Sequence, residues 1–236
     1  MSVLNGRYEP IEVVGRGDNG QLWRAWDSVL AGVVAVKTLD RELFRRPECR
    51  TRFRDEAQVT GALRHPGIVA PYDHGFGVAP DDPALFLVTE YVEGPSLAEV
   101  VRAGPVPVGR AVAIARDVAD ALACAHRARV LHGAVRPTNV LLTEAGAVKV
   151  RDFGAGRMAT DPETGLRANV SAATLTYLAP EQVRAEPVDA RTDVHALGTV
   201  LFELLCGRPP VVSDSAFKLL MAQRKAAPKV SGLRAG

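Results

Sequence analysis

Gly15-Arg16-Gly17-Asp18-Asn19-Gly20 runs straight into Gln21-Leu22-Trp23-Arg24-Ala25-Trp26, and the second stretch decides how the first is read. Glycines at G-x-G-x-x-G spacing let backbone N–H groups approach phosphate oxygens with no side chain in the way. In a dinucleotide-binding fold those glycines open a helix, whereas the residues after Gly20 alternate as a strand does. The glycines therefore belong to a turn between two strands of a small sheet. A plain hairpin turn fits the same pattern, so Gly15, Gly17 and Gly20 do not assign a phosphate by themselves.

Downstream, Val33-Val34-Ala35-Val36 reads as an apolar strand that ends at Lys37. An ammonium there is costly unless it meets an anion. Glu56, on an amphipathic helix expected over residues 50–63, is the natural partner, because a helix packed on the sheet can present one carboxylate to the lysine. A surface lysine and a surface glutamate are the alternative reading for each residue alone. Short β-branched runs at 11–14, 33–36 and 85–89 complete a small sheet carrying one helix. After Glu90-Tyr91-Val92-Glu93-Gly94-Pro95 the pattern turns mainly helical, with an alanine-rich core helix over 111–128 and short strand-like pieces between 130 and 150.

The bulk composition narrows the function classes. With 236 residues, 47% apolar and 24% charged, the chain can bury a sizeable core, and a net charge of +2 with mixed signs predicts no nucleic-acid partner. Cys49, Cys124 and Cys206 are scattered and follow no metal-ligand spacing, which argues against a disulfide framework and against zinc. The first residues carry no apolar leader, and the longest apolar run, 196–206, is broken by Glu203. No signal peptide or membrane segment is expected in this chain, which reads as cytoplasmic.

The motif order supplies the specificity that single motifs lack. Beyond the glycine turn and Val34-Ala35-Val36-Lys37 come Val88-Thr89-Glu90-Tyr91-Val92-Glu93-Gly94, Asp152-Phe153-Gly154, Ala179-Pro180-Glu181-Gln182 and Asp193-Val194-His195-Ala196-Leu197-Gly198. From about residue 7 to about 228 the chain resembles the eukaryotic-like (Hanks-type) serine/threonine protein kinases of bacteria. The resemblance implies an α+β, bilobal fold. Its smaller lobe would span about 7–90, a hinge about 90–94, and a mainly helical larger lobe about 95–236 that stops short of the last two expected helices.

It also implies ATP and Mg²⁺ as ligands. Glu90 and Val92 would offer backbone groups to adenine, Thr89 would take the gatekeeper position, and Leu22, Ala35 and Leu141 would sandwich the base. Lys37 and Glu56 would handle phosphate, and Asp152 and Asn139 would be the magnesium ligands.

One loop departs from the family. Its catalytic loop reads H-R-D-L-K-P-x-N; here His132-Gly133-Ala134-Val135-Arg136-Pro137-Thr138-Asn139 occupies it, with the register set by His132, Pro137 and Asn139. Ala134 stands where a carboxylate would accept the substrate proton, and Arg136 replaces a lysine. Gly133 replaces an arginine that grips phosphorylated loops. The nearest acids in sequence are Asp120 and Glu144.

Losing general base catalysis costs roughly 10² to 10⁴ in rate, about 3 to 5 kcal/mol. The expectation is a pseudokinase that binds nucleotide and acts as a signalling or scaffold module; the alternative is a weakly active serine/threonine kinase. A protein partner is expected, of the phosphothreonine-binding or kinase type. Thr160, Thr164, Ser171, Thr174 and Thr176 are candidate phospho-acceptors, and Glu181 is expected to lack a partner because the chain ends at Gly236. If the natural protein is longer, the resemblance also implies membrane attachment outside this stretch.

Overall fold

The computed structural model describes residues 3–17, 20–39, 44–79, 82–153, 172–184, 186–212, 218 and 230–232. The described part falls into two compact units: Met1–Arg64 with Val69–Val92, and His65–Ile68 with Glu93–Gly236.

The first unit is a five-stranded antiparallel sheet in the order β1-β2-β3-β5-β4, built from β1 (Tyr8–Gly17), β2 (Gly20–Asp27), β3 (Gly32–Leu39), β4 (Pro71–Ala79) and β5 (Asp82–Glu90). Helix α1 (Pro47–Ala62) packs on it. Pro47 explains why the helix starts before the amphipathic pattern does: its fixed φ suits a first turn, whose N–H would be unpaired anyway. Strand β4 was not legible, because its Pro71, Gly75 and Gly77 weaken any strand pattern. At Gly75 a Cβ would lie 3.1 Å from the ring of Phe86 on β5, so a larger residue would push on that ring.

Side chains alternate across the sheet, so the register sorts the strands into two faces. One face carries the buried cluster Tyr8, Ala25, Val34, Val36, Phe86 and Val88, with Trp23 against it. Lys37 is not the end of its strand, as the apolar run implied. It sits within β3, opposite Leu22 and Leu87, and the strand continues to Leu39, because Thr38 and Leu39 keep pairing with β2.

A partly buried polar network fastens the start of the sheet. Arg7 donates to both oxygens of Asp27 at 2.8 Å and to Asp73 at 3.2 Å, while Tyr8 OH donates to Asp73 at 2.5 Å. The Asp27 carboxylate, fully buried, also accepts the N–H groups of Val29 and Leu30. The Arg7 hydrogen bond, helped by those N–H groups, holds Asp27 below the ordinary carboxylate range despite its burial.

A depressed folded pKa stabilises the fold above the unfolded value of 3.8 and loses that contribution as pH falls through the folded value. An Asp27→Asn variant should therefore melt below the unaltered chain at pH 7. The gap should narrow when both are melted below pH ~3.8. A gap unchanged down to pH ~2 would contradict the assignment.

The second unit contains α2 (Leu97–Arg102), α3 (Val108–Arg127), a 3₁₀ turn (Pro137–Asn139), β6 (Val140–Leu142) paired antiparallel with β7 (Val148–Val150), α4 (Ala172–Leu175), α5 (Pro180–Val183), α6 (Ala190–Cys206) and a 3₁₀ turn (Val230–Gly232). Ser96 and Glu99 cap α2 reciprocally, a capping box. Ala111, Ile114, Val118, Ala121, Leu122 and Ala125 form the buried stripe of α3, at the spacing its sequence predicts, and α3 packs against α6. Gly94, at φ +136°, has no alternative: a Cβ would stand 1.9 Å from the carbonyl oxygen of Leu142. Among the described residues no helix is long and apolar enough to cross a membrane. The helix expected near 215–224 lies outside the described residues apart from Lys218.

Candidate active site: the loop around Ala134

Five of the expected nucleotide-facing residues share the sheet face opposite the buried cluster. Leu22 pairs with Gly15 on one side and Lys37 on the other, and Ala35, two residues from Lys37, pairs with Thr89. Gly17 pairs with Gly20 across the glycine turn, whose central Asp18 and Asn19 lie outside the described residues. Glu90 commits its N–H to the Ala70 carbonyl at 2.8 Å and its carboxylate to the Ala70 N–H at 2.7 Å. Val92 is the last residue of the first unit. Glu56 lies on α1, and its side chain, like Gly154, is outside the described residues.

In the second unit, the loop before the 3₁₀ turn is held from beneath by a residue whose role the sequence did not reveal. Asp193 of α6 is 1% exposed and accepts the N–H groups of His132 at 2.9 Å and Gly133 at 2.7 Å, while His126 of α3 meets it at 2.8 Å. The signal was present: an acid among Val194, Ala196 and Leu197 on an apolar helix must find donors. Asp193 does not replace the missing carboxylate, because it is buried and both its oxygens are occupied.

His132 is itself fully buried, its ring tilted against that of Phe153 with centroids 4.7 Å apart, and burial pushes its pKa down. Its Nδ1 accepts the Ala134 N–H at 3.3 Å, so it is a neutral fixture of the loop rather than a base. Gly133 adopts φ +72°, a conformation that strains any residue with a Cβ, and its carbonyl accepts Gln182 Nε2 at 2.9 Å.

Asn139 donates from Nδ2 to the Ala134 carbonyl at 3.0 Å, which turns Oδ1 the other way. That oxygen is buried with no hydrogen-bond partner among the described residues, in a side chain only 2% exposed. A buried acceptor left so is costly unless something supplies positive charge. Asp152 adopts φ +64°, uncommon for a non-glycine residue and frequent where a side chain is aimed for function. An amide oxygen and a carboxylate are hard donors, the set that magnesium prefers, so these residues fit that ion. Leu141 lies in β6 opposite Lys149 and bridges to Ser96.

Arg136 reaches the other way, its Nη1 donating to Thr174 Oγ1 at 2.5 Å. Thr174 and Thr176 are 6% and 8% exposed, so in this conformation neither is the solvated phospho-acceptor that their place in the sequence implied. Thr160, Thr164 and Ser171 lie outside the described residues. Glu181 also departs from expectation. Its carboxylate accepts the hydroxyl of buried Thr192 at 2.6 Å, so α6 supplies a partner that the reading of the chain end had denied it.

The "Protein kinase domain" family profile matches residues 8–232. The chain belongs to the protein kinase family. Among its relatives are the "Serine/threonine-protein kinase PknB" of Mycolicibacterium smegmatis, 44% identical over 216 residues, and that of Mycobacterium tuberculosis, 41% identical over 216 residues. These alignments take in 90% and 91% of this chain but 34% of each relative, so the chain spans about a third of the length of the curated relatives it matches. Among solved structures, the crystal structure of the Mycobacterium tuberculosis PknI kinase domain superposes with a TM-score of 0.75 at 28% identity, over 99% of this chain and 83% of that one. The protein kinase fold, a sheet-based first unit and a mainly helical second, is therefore the fold of this chain. Within this kinase domain, the loop departs from the quoted pattern at Gly133, Ala134, Val135 and Arg136, while its supports from Asp193, His132 and Asn139 are in place.

Proposed function

We propose that this kinase domain binds ATP with magnesium and transfers phosphate slowly, acting chiefly as a nucleotide-bound signalling or scaffold module. The observation that carries the reading is Ala134: a methyl group at the proton-accepting position of an otherwise supported loop. Lys37, on the sheet face that also bears Gly15, Leu22, Ala35 and Thr89, would meet phosphate, with Glu56 as its partner. Glu90 and Val92 would present backbone groups to the base, and Leu141 is the further apolar residue that the resemblance assigns to it. Asp152 and Asn139 would hold the ion. The nucleotide, when bound with magnesium, supplies the transferable phosphoryl group and the neutralising charge.

The chain's own residues can then position and shield charge, which provides most of the acceleration in phosphoryl transfer. No side chain at 134 can orient the acceptor hydroxyl or take its proton, and the proton must leave through water or the substrate itself. A partner that reads the nucleotide-bound domain, such as a second kinase or a phosphothreonine-binding protein, follows from that reading.

The identity to serine/threonine kinases at 41–44% supports a second reading, in which the domain is a working kinase for protein serine and threonine. Nucleotide binding is tested by melting the chain with and without ATP and magnesium. At 100 times the Kd the ligand should add about 2.7 kcal/mol, and Asp152→Asn should lose most of the magnesium-dependent part. No shift at saturating nucleotide would remove the binding claim.

A further inference from the structure

The motifs assign Asp152 but say nothing of Arg151 immediately before it. We propose that Arg151 is a phosphate-binding residue, a fixed counter-charge beside Asp152 that lets the domain hold a nucleoside triphosphate with little dependence on a divalent cation. The proposal rests on the reading of Asn139 and Asp152 as the metal end of a nucleotide site.

Strand β7 buries Val148 and Val150, 4% and 0% exposed, on one side. Lys149 lies directly across from Leu141, so these two share the other face. The Arg151 N–H donates to the Asn139 carbonyl at 3.0 Å, which carries the β6–β7 ladder one step further. Two residues on from Lys149, Arg151 follows the face of Leu141, the residue that the resemblance assigns to the base. Neighbours along a strand point to opposite faces, but the φ of +64° at Asp152 turns the chain out of the strand. Arg151 Nε lies 3.6 Å from Asp152 Oδ2.

At that distance the two groups share charge without a hydrogen bond. The Arg151 side chain is 29% exposed, yet its Nε is buried and has no hydrogen-bond acceptor among the described residues. A surface arginine would keep its donors in water, whereas a buried donor without an acceptor is costly. Asn139 Oδ1 is the opposite case, a buried acceptor without a donor. A ligand that answers both brings positive charge to Asn139 and an anionic oxygen to Arg151, as a phosphate chain with its metal does. The guanidinium fork matches phosphate oxygens and stays charged at any ordinary pH. Its charge therefore remains when the metal is withdrawn. It also offsets part of the Asp152 charge, which loosens that carboxylate's hold on the cation.

Calorimetric titration with ATP, in excess magnesium and in excess EDTA, tests the proposal. For the unaltered chain the Kd in EDTA should exceed that in magnesium by less than ~10-fold. In Arg151→Met the Kd in EDTA should rise by ~10-fold or more, the effect of losing one charge-assisted hydrogen bond, while the Kd in magnesium changes less. Arg151→Lys keeps the charge and should bind in EDTA more tightly than Arg151→Met, a rescue that side-chain packing alone would not give. The ratio for the unaltered chain needs no variant, so it decides the proposal even if Arg151→Met does not fold.

Binding by the unaltered chain that is lost in EDTA would overturn the assignment. So would an equal loss of affinity on removing magnesium in the unaltered chain and in Arg151→Met. No binding by the unaltered chain in either condition would remove the nucleotide reading itself, and the role of Arg151 with it.

Discussion

An Asp193→Ala variant is expected to lose roughly 3–5 kcal/mol of folding stability, a fall in Tm of about 10 °C for a domain of this size. The carboxylate is 1% exposed and serves three donors on two other segments: the N–H groups of His132 and Gly133, and the His126 ring. Removing it leaves the His132 and Gly133 N–H groups without their acceptor, and the cost of unpaired donors exceeds the net worth of the bonds lost. Asp189→Ala is the control on the same helix. Asp189 caps α6 and pairs with exposed Arg191, so its loss should lower the Tm far less. Equal melting temperatures for the two variants would refute the clamp.

Ala134→Asp should raise the rate of γ-phosphate transfer by ~10² or more. The gain is expected because the backbone that would carry the new carboxylate is already fixed: the Ala134 N–H is held by His132 Nδ1 and its carbonyl by Asn139 Nδ2. General base catalysis also leaves a signature in pH. The variant's rate should fall on acidification as the carboxyl is protonated, near an ordinary aspartate pKa of ~4. The unaltered chain should lack that limb. A rate profile for Ala134→Asp that overlays the unaltered chain's in height and shape would show that the methyl group is not what limits transfer.

How much of this was legible in the sequence depends on whether the signal was local. The fold class was, because six motifs in order carry it and the stripe of α3 is periodic. Strand β4 was not, since Pro71, Gly75 and Gly77 erase its pattern. Lys37 looked like a strand end because the apolar run stops there, yet pairing with Leu22 and Leu87 carries β3 two residues further. The partners of Glu181 and Arg136 lie 11 and 38 residues away in the chain, and spacing alone cannot announce such contacts. Asp193 sat inside a recognised motif, but its role as a clamp is visible only when α6 is laid under the loop. Ala134 was readable from the outset, and the structure adds that the loop around it is intact.

The account's central claim is that the domain holds magnesium–ATP but scarcely transfers from it. The most direct test is the rate of γ-phosphate transfer to a generic protein substrate by the unaltered chain at saturating ATP and magnesium, against the Asp152→Asn variant. The account predicts a rate within a few-fold of that control, ~10² below the Ala134→Asp variant. Robust transfer by the unaltered chain that disappears in Asp152→Asn would contradict it and establish a working kinase without the loop carboxylate.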